Sequence, residues 1–271
     1  MSSSPEPTLW HIPVSHYSEK ARWALAHKGV EHNRHAPPPG AHMAIALALT
    51  RGAHKTFPVL RLDGRNVGDS TAIIEALELR WPQPRLYPDD PAERRRALEL
   101  EDYFDEELGP HIRLLAWHEL RNDPQSMGEV TATMVPGPIR GLSAAEAVFR
   151  VIGSTYVQLR FRVAGDEAAA AARVRVLAAL DRLDAELEAS GGDYLVGDSF
   201  SVADLTAAAL FYPLVNPPEG PQTLPGEPPA RFEEFRAPLK ARPGYKWVER
   251  IYREHRKARA SYQPSVPGSP L

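Results

Sequence analysis

The stretch Lys55–Ser70, KTFPVLRLDGRNVGDS, predicts two strands joined by a tight turn and followed by a helix. Val59–Leu62 is a short β-rich run, and a second strand follows the turn. Asp63-Gly64 is a dipeptide that favours a two-residue hairpin, because both turn positions need a positive φ. Asp69-Ser70 then supplies a polar helix start, followed by apolar residues on one face.

Both ends of this stretch suit an extended peptide that carries a free carboxylate. A cis bond at Phe57-Pro58 would turn the backbone N–H and C=O of Phe57 outward. The first turn of the next helix has free N–H groups and a positive dipole end, and Ser70 adds a hydroxyl there. Taken alone, Phe-Pro is an ordinary turn and Asp-Ser is a plain helix cap. Together, and separated by a hairpin, they predict a peptide site.

The stretch resembles the glutathione-binding half of the cytosolic glutathione S-transferase family, in which a cis-proline, a hairpin and an acid–Ser pair follow one another. SHYSEKARWAL at Ser15–Leu25 and the capping box Ser201–Asp204 carry the same resemblance. The resemblance implies an α/β thioredoxin-like N-terminal domain over 6–82 and an all-α C-terminal domain over 91–260. Residues 83–90 would be the linker, and 261–271 a disordered tail. Asp204 would nucleate a buried helix rather than take part in catalysis.

Ser15 occupies the position at which serine-type members of the family carry the hydroxyl that donates a hydrogen bond to the glutathione sulfur. Tyr17 and Ser18 are the alternative donors. A free thiol has a pKa of about 8.5 and its thiolate is the nucleophile, so a hydroxyl donor would favour the reactive anion. The glutathione-binding residues that the resemblance implies are His42, Lys55, Phe57, Pro58, Asp69 and Ser70. For His42 and Lys55, an ordinary surface position is the alternative.

Composition excludes several classes of function. The chain has no cysteine, which excludes structural disulfides, Cys-ligated zinc and a cysteine nucleophile. A net charge of −3 predicts no general attraction to nucleic acid. The absence of a long apolar run predicts no membrane span, and the N-terminal MSSSPEPT lacks a signal region, so a cytoplasmic protein is expected. His32 and His35 would alternate across a strand at Glu31–Ala36, so no metal site is expected.

The rest of the chain predicts helices. One begins at Asp90-Pro91, has a break or kink at Gly109-Pro110 and continues to Leu120, and its acidic residues form a solvated face. The others are predicted over Ser143–Val163, Asp166–Ala189, the segment after Ser201, Phe232–Leu239 and Tyr245–Arg259, with loops at Asn122–Leu142 and Asn216–Pro229.

The resemblance implies the function of a glutathione transferase-like enzyme of detoxification, whose bound thiolate attacks a small hydrophobic electrophile. A homodimer is implied by the resemblance alone. Candidates for the electrophile side are Tyr103, His111, Trp117 and Met134. The alternatives are a glutathione-dependent isomerase or ether-cleaving enzyme, and a non-enzymatic binding or scaffold protein that keeps the fold. A different low-molecular-weight thiol also stays open.

Overall fold

The structure is a computed structural model that describes residues 6–38, 41–121, 151, 165–221 and 228–256. Its N-terminal part is a four-stranded sheet with the order β2-β1-β3-β4. β1 and β2 are parallel, whereas β1–β3 and β3–β4 are antiparallel. The strands are β1 Thr8–Trp10, β2 Asn33–His35, β3 Val59–Leu62 and β4 Arg65–Gly68, and the helices between and after them are α1 His16–His27, α2 Ala41–Leu49 and α3 Ser70–Arg80.

The predicted hairpin between β3 and β4 is confirmed. Asp63 and Gly64 have φ values of 48° and 78°, and Leu62 pairs with Arg65 across the turn. Both turn residues therefore have the positive φ that a two-residue turn of this kind requires. The predicted strand at Glu31–Ala36 is shorter than expected, because only the three residues of β2 pair with β1.

The second part of the chain is helical. Its elements are α4 Pro91–Tyr103, a π-helical turn Phe104–Leu108, α5 Gly109–Leu120, α6 Asp166–Ser190, α7 Val202–Val215, α8 Ala230–Arg236, a 3₁₀ turn Ala237–Ala241 and α9 Pro243–His255. Residues 81–90, between α3 and α4, contain neither helix nor strand. At Gly109-Pro110, where a break or a kink was predicted, the π-helical turn runs directly into α5, so the helical segment does not stop there.

Helix α7 lies at the centre of the helical part and packs against α1, α4, α5 and α9. All its residues except Pro213 are buried, which fits a sequence that is apolar on every side. The predicted capping box starts it: Asp204 accepts hydrogen bonds from the N–H and the hydroxyl of Ser201, both at 2.8 Å. Asp204 also accepts from the Leu195 N–H at 2.8 Å, which confirms its structural role.

Some predicted elements fall outside the described residues. These are the loop Asn122–Leu142, the tail 261–271 and, apart from the helical residue Val151, the helix Ser143–Val163. Across the part of the chain that the structure does describe, no helix is long and apolar enough to span a bilayer.

Candidate functional site

Ser15 caps α1 from the loop that follows β1. Its Oγ accepts a hydrogen bond from the Ser18 N–H at 3.2 Å, and its own N–H donates to the Ile12 carbonyl at 3.1 Å. The side chain is half-buried. Because Oγ acts as an acceptor in the cap, the hydroxyl proton stays available for an acceptor outside the chain.

The two alternative donors are less available than Ser15, Tyr17 because its proton is already donated and Ser18 because it is enclosed. The Tyr17 hydroxyl donates to the Asp105 carbonyl at 2.9 Å, and burial together with Asp105 raises the pKa of this phenol well above its ordinary value. Ser18 is fully buried, and its Oγ accepts from the Ile12 N–H at 3.1 Å. Of the three hydroxyls, Ser15 therefore has the best access to a bound sulfur.

The loop side of α1 is docked against α5 through His16. The ring is buried, and its Nε2 lies 3.0 Å from the Gly109 carbonyl, which makes Nε2 the protonated nitrogen. Burial and the nearby Arg113 lower the pKa of His16 to about 3. His16 is consequently neutral near pH 7 and contributes a hydrogen bond rather than a charge.

The Phe57-Pro58 bond is cis, as the sequence predicted. No hydrogen bond joins the backbone N–H or C=O of Phe57 to another residue in the described part of the chain. The Phe57 ring, by contrast, is 3% exposed and packs with Ala46 and Val59 in a small apolar cluster. The side chain thus anchors the segment, while the two backbone groups have no partner among the described residues.

Asp69 precedes α3 with a φ of 76° and a ψ of 139°, a conformation that non-glycine residues rarely adopt. Its Oδ1 accepts from the N–H groups of Thr71 and Ala72 at 2.9 and 3.3 Å. The first turn of α3 is therefore less open to an anion than the sequence suggested, because Asp69 already satisfies two of its N–H groups. Ser70 is 2% exposed, and its hydroxyl has no partner among the described residues.

The two candidates for the glycine carboxylate differ in exposure. Lys55 lies exposed in the bend just before Phe57. His42, on α2, is 7% exposed, and its ring centre lies 6.1 Å from that of Phe57. Lys55 can reach solvent-borne ligands without rearrangement, whereas His42 mainly packs against Phe57. Both assignments stay predictions.

A buried lysine joins the start of α3 to the helical part, and the sequence did not indicate it. Lys20 Nζ lies 2.7 Å from Asp105 Oδ2, 2.9 Å from Glu101 Oε1 and 2.8 Å from the Thr71 hydroxyl. Its side chain is 0% exposed. The solvated face predicted for the acids of α4 was thus wrong for Glu101 and Asp105, which face Lys20. Lys20 is one of several charged and polar residues in α1, and its carboxylate partners lie about 80 residues further on, so the local sequence gave no signal of them.

The candidates for the electrophile side are only partly described. Tyr103 is half-buried beneath the Arg182 guanidinium, 5.1 Å from its ring centre, and His111 and Trp117 are half-buried on α5. Met134 lies outside the described residues. Within those residues, no three His, Cys, Asp or Glu side chains are placed to hold a metal ion together.

Comparisons with known proteins agree with this arrangement. A family model described as glutathione S-transferase, N-terminal domain, matches residues 9–85, and one described as glutathione S-transferase, C-terminal domain, matches residues 166–251. Maleylacetoacetate isomerase from Rattus norvegicus is 32% identical over 108 residues, which are 39% of this chain and 50% of the relative. Glutathione S-transferase U6 from Arabidopsis thaliana is 30% identical over 108 residues, 40% of this chain and 48% of the relative.

The chain thus spans about half the length of these two curated relatives. Among solved structures, the theta class glutathione S-transferase from Xanthomonas axonopodis pv. citri with glutathione bound superposes with a TM-score of 0.56 at 22% identity. That superposition covers 89% of this chain and 96% of the other. It confirms the predicted fold class, a thioredoxin-like α/β part followed by a helical part.

Proposed function

Because the chain belongs to the glutathione S-transferase family, we propose that it binds glutathione and activates the thiol for attack on a small apolar electrophile. The observation that carries the proposal is the state of the three hydroxyls in the loop at α1. Tyr17 donates its proton within the fold and Ser18 is fully buried, while Ser15 keeps a proton to donate and is only half-buried.

Ser15 acts here as a hydrogen-bond donor to the sulfur. It is neither a general base nor a covalent nucleophile, since the thiol proton leaves to solvent and the bound thiolate attacks. Each unit by which the thiol pKa falls corresponds to about 1.4 kcal/mol of preferential stabilisation of the anion. The N-terminus of α1 adds to this effect because its dipole also favours a negative charge.

The peptide part of glutathione would lie between the Phe57-Pro58 segment and the start of α3. The free N–H and C=O of Phe57 pair with the peptide backbone, as a neighbouring strand would. The Ser70 hydroxyl and the Ser70 N–H bind a carboxylate, because the N–H groups of Thr71, Ala72 and Ile73 are already bonded to Asp69. Lys55 is the cation closest in sequence to this segment, and we assign it to the second carboxylate.

The test is a calorimetric titration of the protein with glutathione, repeated on Ser70→Ala. Loss of one hydrogen bond to a charged group, about 1.5–3 kcal/mol, weakens binding by roughly 10- to 100-fold. Ser190→Ala, at the end of α6, is the control and should bind like the wild type. Equal affinity in wild type and Ser70→Ala would mean that the carboxylate does not bind at the start of α3. No binding at millimolar glutathione would favour another thiol or the scaffold alternative.

Glutathione-dependent isomerisation is the second candidate, and the 32% identity with the maleylacetoacetate isomerase favours it. The two reactions differ in stoichiometry, because a transferase consumes one thiol for each product and an isomerase regenerates it. Titrating free thiol during turnover of a candidate substrate therefore separates them. Ether cleavage stays an alternative reaction. A cytoplasmic location and a homodimer are also part of the proposal.

A further inference from the structure

Arg22, on α1, is directed at the loop that carries Ser15. Its Nη1 lies 3.3 Å from the Ile12 carbonyl, and its Nη2 lies 3.1 Å from the Pro13 carbonyl and 3.4 Å from the Ser15 carbonyl. Arg22 is 3% exposed, so these contacts are shielded from solvent. A single rigid guanidinium therefore bridges three carbonyls of four consecutive residues.

The remaining donors of Arg22 are also used. Nη1 donates to His11 Nδ1 at 2.7 Å, and Nε donates to Glu19 Oε2 at 2.9 Å. Together with the three carbonyls, these acceptors match the five N–H groups of a guanidinium. Burial and Arg22 lower the pKa of His11 well below its ordinary value, so this ring stays neutral and can accept. A lysine could not form these five hydrogen bonds, because its ammonium group is a point charge with three donors.

Glu19 connects Arg22 to the far end of the chain. Its side chain is 0% exposed, and its Oε1 accepts from Arg256 Nε at 2.7 Å. Arg256 comes directly after α9, 237 residues from Glu19. Burial opposes ionisation of Glu19, but Arg256 and Arg22 outweigh it and hold the pKa of this carboxyl below its ordinary value. The carboxylate thus sits between two guanidinium groups and fixes both.

We infer that Arg22 is a positioning residue for the Ser15 hydroxyl, and that Arg256 acts on Ser15 through Glu19 and Arg22. The inference rests on the proposed function for the role of Ser15, but the mechanical link stands on the contacts alone. Without Arg256, one oxygen of Glu19 loses its partner inside the protein and the carboxylate rotates toward a new one. Arg22 Nε follows it, and the bonds to the loop carbonyls lengthen. The end of α9 thereby controls the geometry of the sulfur site without touching it.

Two backbone amides report on this loop directly. The Ser15 N–H is bonded to the Ile12 carbonyl, and the Ser18 N–H is bonded to Ser15 Oγ. We expect Arg256→Gln to speed hydrogen exchange at these two amides by about tenfold or more, since their protection depends on local opening. Amides in the middle of α6 report on global unfolding and should change less. Arg250→Gln is the matched control, because Arg250 lies on α9 but pairs with Asp193 at the surface.

Activity gives the second readout. In Arg256→Gln, we expect the pKa of bound glutathione to rise and kcat to fall by roughly tenfold, with little change in KM, because a misplaced donor affects the thiolate more than the peptide contacts. Arg22→Lys should show the same pattern more strongly, and it replaces Arg256→Gln if that variant does not fold.

The outcomes separate the two ideas. Exchange at each amide is compared with the same amide in the wild type. The inference is overturned, whatever the activity, if Arg256→Gln and Arg22→Lys speed exchange at the loop amides no more than at the α6 amides. Faster loop exchange in a protein that does not bind glutathione would sustain the link and reject the proposed function. A variant whose KM rises while kcat and the thiol pKa stay unchanged would also count against positioning.

Discussion

At the scale of single residues, the candidate site is defined by polar groups that still have a donor or acceptor free in the described part of the chain. The loop at α1 presents three hydroxyls in four residues: Tyr17 donates its proton to Asp105, whereas Ser15 and Ser18 only accept, and Ser18 is fully buried. The family resemblance placed Ser15 ahead of Tyr17 and Ser18, but the sequence gave no physical reason for that order. The partner of Tyr17 lies 88 residues away, and contacts of that kind are set by tertiary packing. The structure therefore adds a reason for the order, and the role of Ser15 stays a prediction.

Ser15→Ala tests this ranking. The variant should keep its affinity for glutathione within about twofold and raise the pKa of the bound thiol by about one unit, the equivalent of 1.4 kcal/mol. The absorbance of the thiolate, titrated against pH in the complex, measures this. Tyr17→Phe is the control, because its hydroxyl is bonded to Asp105 and its loss should leave the thiol pKa unchanged. A larger shift in Tyr17→Phe than in Ser15→Ala would assign the donor to Tyr17.

His16 should make stability depend on pH. Its folded pKa is about 3, below its ordinary value of 6.5, because burial and Arg113 disfavour the charged form. Below pH 6.5 the imidazole of His16 therefore binds a proton in the unfolded chain, whereas in the folded chain it stays neutral until the pH approaches 3. The free energy of unfolding is thus highest above pH 6.5 and falls on acidification toward pH 3, by up to about 1.4 kcal/mol per pH unit from this group.

Urea unfolding of wild type and His16→Gln at pH 7 and pH 5 measures this contribution. Gln can still donate to the Gly109 carbonyl but does not titrate. The variant should lose about 2 kcal/mol less than the wild type over that interval. Equal losses in the two proteins would mean that His16 is protonated in the folded state as readily as in the unfolded one.

At the scale of elements, the sequence predicted well what is encoded locally. The Asp63-Gly64 turn, the Asp90 cap of α4 and the Ser201–Asp204 capping box all depend on residues within three positions of one another, and all are present. The π-helical turn before α5 was missed. It lies where Tyr17 and Lys20 both bind Asp105, so long-range contacts accompany the departure from α-helical geometry, and no local pattern indicates them.

Gly109 leaves room for the Tyr17 phenol at this turn. A Cβ built there would lie 2.1 Å from the Tyr17 hydroxyl oxygen and 2.6 Å from its Cζ. Gly109→Ala should therefore displace the phenol from the Asp105 carbonyl and destabilise the protein by about 1–3 kcal/mol, as overpacking does. Urea unfolding measures the loss. Gly165→Ala is the control, because its nearest neighbour would be Ala168 Cβ at 3.7 Å, an ordinary contact. Similar stabilities for the two variants would show that the phenol can move at little cost.

At the scale of the whole molecule, the sheet and the helical part share one apolar core. Leu9 and Ile73 from the first part and Leu108 and Leu210 from the second belong to the same buried cluster. The family resemblance implied two domains on either side of the linker 83–90, but the sequence could not show that their cores are continuous. Buried ion pairs cross the same boundary, at Lys20 with Asp105.

Cooperative unfolding follows from this shared core. Tryptophan fluorescence and far-UV circular dichroism should give coincident urea transitions, because neither part can lose its packing without exposing the other. Lys20→Met should move both transitions together and cost about 3–5 kcal/mol, since it leaves the carboxylates of Glu101 and Asp105 buried without their cation. Lys246→Met, at an exposed position on α9, is the control and should stay within about 0.5 kcal/mol of the wild type. Two separate transitions, or a shift of only one of them in Lys20→Met, would mean that the two parts are stable independently and that Lys20 does not couple them.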